Sequence, residues 1–345
     1  MENKAIVMTK IGCFEMKDIP MPEVGDEDVL VKMEYVGICG SDVHFFESGH
    51  CGASTCEVPF ILGHEVAGTV VAVGSNVKTH KAGDRVALEP GQTCGKCEYC
   101  KSGYYNLCED VVFLATPPYD GALMKYAAYL AHMAFKLPEN VSTMEGALVE
   151  PLSVGIHAVR QGDVGLGSTV MVTGTGCIGL VTMLAAKAMG ASQIIVSDIF
   201  DKRLEKAKAM GATHIINAAK ENAVQKVNEY TNGRGVDVVF ETSGNAASIG
   251  QTVHAVRRGG TVVMIGYSAL EEVPYNFGRM IDKEVSIKSV FRYRNIYPIA
   301  IQAISSGKIS IKDIVTHKFS FENSQQAFDS VVNNKQEVIK GIIKL

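Results

Sequence analysis

No stretch of the 345-residue sequence approaches the ~18 consecutive apolar residues that a membrane-crossing helix requires, so no membrane role is expected. The opening segment, Met1 to Lys10, mixes acid and base within its first four residues and builds no apolar signal stretch, which predicts a cytoplasmic protein. A surplus of one charge is also lacking. With 33 Lys+Arg against 37 Asp+Glu the net charge is -4, which gives no electrostatic pull toward polyanions and argues against nucleic acid as a partner. Low-complexity tracts and repeats of solenoid period are absent too. What remains is an ordinary globular composition, 47% hydrophobic and 20% charged, in a chain long enough for two domains. The nine cysteines are odd in number, and four crowd between Cys94 and Cys108, a distribution that suits metal binding better than a disulfide scaffold.

The chain changes character near residue 153. Before it stand short β-rich runs broken by Gly and Pro: Val29 to Tyr35, Gly68 to Val73, Arg85 to Leu88 and Ala122 to Leu130. They read as an irregular, mostly antiparallel unit whose loops carry nearly all the cysteines. From Ser168 strand alternates with helix: Thr169 to Thr173, Ile178 to Met189, Ile194 to Ser197 and Asp201 to Met210, with Gly190 and Gly211 as helix stops. Further runs follow at Val236 to Phe240, Ala246 to Val256, Thr261 to Ile265 and Val285 to Val290. This rhythm predicts an α/β domain with a doubly wound parallel sheet. A helix near Ile296 to Ser305 would lead the chain back, giving a discontinuous first domain, 1–153 with 290–345, around a second at 154–289.

Gly174-Thr175-Gly176-Cys177-Ile178-Gly179 matches G-x-G-x-x-G directly after an apolar strand and at the start of a helix. Asp198 ends the next strand about 20 residues later, as a Rossmann unit requires. Gly174 makes the turn, Gly176 lets the backbone approach a pyrophosphate at the positive helix end, and Gly179 permits close helix and strand packing. Asp198 would accept bonds from ribose hydroxyls and repel a 2'-phosphate, which favours NAD over NADP. Arg203 points the other way unless its guanidinium stacks on the adenine.

Cys94, Cys97, Cys100 and Cys108 are spaced so that one loop wraps a tetrahedral Zn²⁺ with four thiolates, a closed structural site without room for water. Cys39, followed some 25 residues on by His64 and Glu65, offers the thiolate, imidazole and carboxylate of an open catalytic zinc. Spacing alone does not decide this second set, because a lone His in Ile61-Leu62-Gly63-His64 also suits a packed core. Cys51 and Cys56 read as free thiols on a loop.

Taken together these residues resemble the zinc-dependent medium-chain dehydrogenases, and within them the polyol (sorbitol/L-iditol or xylitol) dehydrogenases. The resemblance runs nearly end to end. It is carried by Val36-Gly37-Ile38-Cys39-Gly40-Ser41-Asp42-Val43-His44, Leu62-Gly63-His64-Glu65, Ala115-Thr116-Pro117-Pro118, Glu150-Pro151-Leu152-Ser153-Val154-Gly155-Ile156-His157 and Val290-Phe291-Arg292-Tyr293. It implies a GroES-like, mostly-β catalytic domain and a Rossmann cofactor domain. It also implies two zinc ions and NAD. The catalytic ion would be held by Cys39, His64 and Glu65, with Glu150 adjacent or as an exchanging ligand, and Asp42 would orient His64. Ser41 and His44 would carry the alcohol proton away. Phe113, Arg292 and Tyr293 would line the substrate pocket together with Phe45, which stands where animal sorbitol dehydrogenases have Tyr. Gly266, Phe291 and Arg292 would flank the cofactor. The expected reaction is reversible oxidation of a secondary hydroxyl of a small polyol to the ketose, in a homo-oligomer that the resemblance suggests is a tetramer. Dehydrogenation of another secondary alcohol, such as butanediol or threonine, and a non-catalytic NAD-binding scaffold are the competing readings.

Overall fold

The computed structural model describes residues 2–52 and 54–345. The chain forms one unit from Met1–Glu150 with Tyr297–Leu345 and a second from Pro151–Ile296. The transitions anticipated at 153 and 290 differ for local reasons. The helix Val149–Gln161 already starts before the change in composition, and the loop after the strand Ser286–Ser289 buries Tyr293 and Ile296.

The first unit is organised by a seven-stranded sheet. Its path runs Ala134–Lys136, Arg85–Leu88, Glu65–Val73, Asp28–Gly37, Gly341–Lys344 and His317–Ser320, and Tyr126–Leu130 also pairs with Asp28–Gly37. Asp28–Gly37 buries Val29, Leu30, Val31, Met33 and Val36, a near-continuous apolar run rather than strict alternation. Each such side chain contributes about 1.5–3 kcal/mol of transfer free energy. Register fixes what lies beside what: Gly37 sits opposite Glu65 on one side and opposite Ile342 on the other. The C-terminal strand is thus next to the segment that leads into Cys39.

The second unit holds a six-stranded, wholly parallel sheet in the order His214–Asn217, Gln193–Asp198, Thr169–Thr173, Val236–Glu241, Val256–Met264, Ser286–Ser289. That order, with the first strand beside the fourth, is the doubly wound arrangement. Val170, Met171 and Val172 are all buried, as expected of strands covered on both faces. The helix Cys177–Ala188 packs Leu180, Val181 and Met183 inward.

The strand anticipated at Gly68 begins earlier, at Glu65, and the one at Ala122 begins only at Tyr126. Sequence patterning gave no warning of the hairpin Asn3–Lys10 with Cys13–Ile19, of the strand His214–Asn217, or of the two C-terminal strands. Cys51 lies in a two-residue strand, His50–Cys51, paired with Ser54–Thr55.

Candidate metal and cofactor sites

Cys39 immediately precedes the helix Gly40–Ser48, and its backbone N–H donates to Asp42 Oδ2 at 3.1 Å. Asp42 is fully buried. Its Oδ1 accepts from Gly63 N at 3.2 Å and stands 3.3 Å from His64 Nδ1. A carboxylate on Nδ1 fixes the ring and leaves Nε2 as the electron-pair donor. Burial opposes protonation of His64, but the charges of Asp42 and Cys39 outweigh it and raise the imidazole well above its usual range. An anionic pocket that would hold a proton so firmly is equally suited to a cation.

The ligand atoms of Cys39, His64 and Glu65 lie within 4.8 Å of one another. Zinc bonds of 2.0–2.3 Å keep two ligands of one ion within about 4.6 Å, so the set has the size and donor chemistry of a three-residue zinc site. Phe113 is buried with its ring 5.7 Å from that of His64. Glu150, near the start of the helix Val149–Gln161, is buried but outside the 4.8 Å set. Ser41 is half-buried and His44 is exposed one helical turn further on. Phe45, expected in the pocket, packs in the hydrophobic core, its ring 6.4 Å from that of Phe60.

Cys94, Cys97, Cys100 and Cys108 form a second cluster, again with all sulfurs within 4.8 Å and with Cys94 and Cys100 4.0 Å apart. The fit is to a tetrahedral S₄ ion. Thiols this close cannot all ionise unaided. Backbone N–H groups of Lys96 and Cys97 bring Cys94 down to about 7. At Cys97 a backbone N–H from Cys100 favours the thiolate, yet burial and the adjoining sulfurs prevail and push it up to about 11.

In the second unit the glycine loop closes as its spacing demands. Gly174 has φ +86°, and a Cβ on Gly179 would lie 1.9 Å from the Gly174 carbonyl oxygen. Asp198 Oδ2 accepts from both Thr175 N and Thr175 Oγ1 at 2.7 Å, while Oδ1 accepts from Ile199 N at 2.7 Å and Phe200 N at 3.0 Å. These bonds hold the carboxylate at the edge of a cavity of about 480 Å³ lined by Gly174, Gly176, Asp198, Phe200, Arg203 and Thr242. Arg203 lies over the Phe200 ring at 5.4 Å. Gly266 is required by a close approach, since a Cβ there would stand 2.4 Å from Gly244 N. Phe291 is partly exposed beneath the Arg292 guanidinium, 4.7 Å away, whereas Tyr293 is buried.

Sequence reasoning missed Glu241. This carboxylate is fully buried and accepts from Thr173 Oγ1, Ser243 N and Gly244 N at 3.0–3.1 Å, which pins the loop after its strand against the glycine loop. An acid ending an apolar strand, followed by Thr-Ser-Gly, was the available signal.

The comparisons with known proteins agree with this geometry. Residues 25–139 match the alcohol dehydrogenase GroES-like domain, and residues 177–306 match the zinc-binding dehydrogenase domain. The chain belongs to the zinc-dependent medium-chain dehydrogenases. It is therefore an oxidoreductase that uses zinc and a nicotinamide cofactor. It is 46% identical over 340 residues to a sorbitol dehydrogenase of Bacillus subtilis, covering 99% of this chain and 96% of that one. A crystal structure of an Escherichia coli oxidoreductase/dehydrogenase of unknown specificity superimposes with a TM-score of 0.95 at 46% identity, over 100% of this chain and 99% of that one. A zinc-binding dehydrogenase of Sinorhizobium meliloti bound to NADP aligns at 28% identity and a TM-score of 0.92, over the full length of both chains. No helix among the described residues is long and apolar enough to cross a membrane.

Proposed function

We propose that the protein oxidises a secondary hydroxyl of a small polyol of the sorbitol or xylitol kind to the ketose, reversibly, with NAD⁺ as hydride acceptor. The observation that carries this reading is the gathering of Cys39, His64 and Glu65 into one ligand set in a chain so similar to a sorbitol dehydrogenase. Zinc held by these three residues would polarise a coordinated hydroxyl and lower its pKa toward neutrality. Asp42 keeps His64 in the ligating tautomer. Ser41, half-buried, would take up the hydroxyl proton while releasing its own toward exposed His44 and solvent, and the bound nicotinamide cofactor would supply the hydride acceptor for the carbinol carbon. Glu150 would serve as a hydrogen-bond partner or exchanging ligand at that ion. Phe113 forms an apolar wall, with Arg292 and Tyr293 offering polar groups to further substrate hydroxyls.

Asp198 supports NAD over NADP, because its charge opposes a 2'-phosphate and its oxygens suit ribose hydroxyls; Arg203 would stack on the adenine. A second zinc in the four-thiolate lobe would be structural, giving two per chain. A cytoplasmic homotetramer completes the proposal.

The test is a spectrophotometric screen of sorbitol, xylitol, arabitol, butanediol and threonine with NAD⁺ and NADP⁺, accompanied by metal analysis. The highest rate is expected with sorbitol or xylitol and NAD⁺, at two zinc ions per chain. Activity confined to butanediol or threonine would transfer the assignment to another secondary alcohol. One zinc per chain and no turnover would leave a nucleotide-binding scaffold.

A further inference from the structure

Lys340 is 2% exposed, and a lysine is almost never buried to that degree without a partner. Its Nζ donates to the Ile38 carbonyl at 2.9 Å and to the Glu65 carboxylate, with which it forms a buried ion pair. One ammonium therefore holds the peptide adjoining Cys39 and the carboxylate of Glu65 together.

The sheet register explains how it gets there. Gly37 lies between Glu65 and Ile342 on neighbouring strands, so the residue just before the C-terminal strand reaches Glu65 across a position without a side chain. A Cβ on Gly37 would lie 2.0 Å from Glu65 Oε2. The carboxylate thus occupies a slot open at Gly37 and closed by Lys340. It is not drawn away from the other ligands, for a Glu65 oxygen still lies within 4.8 Å of the donor atoms of Cys39 and His64. Asp42 and Glu65 are both buried beside half-buried Cys39, and the Lys340 ammonium lies against the second of these two carboxyl groups.

We propose that Lys340 is a positioning residue of the metal site, which anchors Glu65 as a ligand and ties the Cys39 segment to it. The proposal rests on the reading of Cys39, His64 and Glu65 as zinc ligands. Its test is zinc release from the purified holoenzyme to a chromogenic chelator, read as separate phases for the two ions. In Lys340→Met the phase belonging to Cys39, His64 and Glu65 is expected to speed up by about 10–100-fold, the usual effect of losing a partner that orients a ligand. The four-thiolate phase and NADH binding, followed by fluorescence, should not change. Gly37→Ala displaces the carboxylate from the other side with Lys340 intact, and should give the same selective lability even if Lys340→Met fails to fold. Cobalt substitution gives a further readout, a changed visible spectrum at the three-residue site alone. Wild-type release kinetics in Gly37→Ala, or in folded Lys340→Met, would overturn the proposal. A wild-type protein with only the four-thiolate zinc would overturn instead the ligand reading beneath it.

Discussion

Glu89 lends itself to a quantitative test, because it is a carboxylate 4% exposed at the end of the strand Arg85–Leu88. Burial raises it from 4.5 to about 7, although the Tyr105 hydroxyl, donating to Oε1 at 2.7 Å, pulls the other way. The folded protein thus holds a proton on Glu89 that the unfolded chain has lost, and stability falls as pH rises between these two values. At 1.36 kcal/mol per pH unit, the ionised carboxylate costs the fold about 3 kcal/mol above pH 7 and almost nothing below pH 4.5. Glu89→Gln keeps an oxygen for Tyr105 and removes the titration. Thermal unfolding of the two zinc-loaded proteins should therefore coincide near pH 4.5 and diverge upward. By pH 8 the variant should melt about 6–12 °C higher, at 2–4 °C per kcal/mol for a unit of this size. The pH dependence of the metal sites is common to both proteins and cancels in the difference. Parallel melting curves across the range, or a variant less stable at pH 8, would refute the reasoning.

His157 behaves in the opposite sense: burial first, then the charges of Arg294 and Arg160, lower it to about 4. Stability is lost as pH falls from about 6.5 through 4, and His157→Gln should flatten that limb of an acid-unfolding curve while leaving the alkaline limb alone. Gly179→Ala places a methyl 1.9 Å from the Gly174 carbonyl oxygen. It should abolish NADH binding by fluorescence titration while leaving the zinc content of the protein unchanged. Asp198→Ala removes the acceptor of four loop hydrogen bonds and the charge that would oppose a 2'-phosphate. At about 1.5–3 kcal/mol for bonds to a charged group, NADH affinity should drop by roughly 10–150-fold and the NAD⁺ to NADP⁺ preference should shrink; an unchanged preference would remove Asp198 as its source.

The parts of the fold that were legible in the sequence are those whose signal is local. Thr169–Thr173 followed by the glycine loop could be read directly, because an apolar strand, a tight turn and a helix start leave their marks within ten residues. The strand His214–Asn217 left none: four residues at a sheet edge, only two of them buried, make too short a pattern to separate from a loop. The early start of the strand at Glu65 was hidden for a different reason. A buried acid does not look like a strand residue until its counter-charge is known, and that charge sits 275 positions away.

The same distinction divides the candidate site. Each donor is announced by its own chemistry and near neighbours: Cys39 with Asp42 three residues on, His64 beside Glu65, and four cysteines on one loop. What ties the candidate donors together comes from elsewhere in the chain. Asp42 joins the Cys39 turn to Gly63 and His64 across 21 residues, and Lys340 arrives from just before the last strand. A motif containing only Cys39, His64 and Glu65 would therefore specify the ligands without specifying a site. Their geometry depends on sheet register, and register depends on the burial of residues such as Val31, Val36 and Ile342 that carry no chemistry. Slippage of the C-terminal strand by one residue would turn Lys340 away from Glu65 and leave a buried carboxylate uncompensated. The hydrophobic pattern of Gly341–Lys344 is in this sense as much a requirement of the candidate metal site as the proposed ligands are.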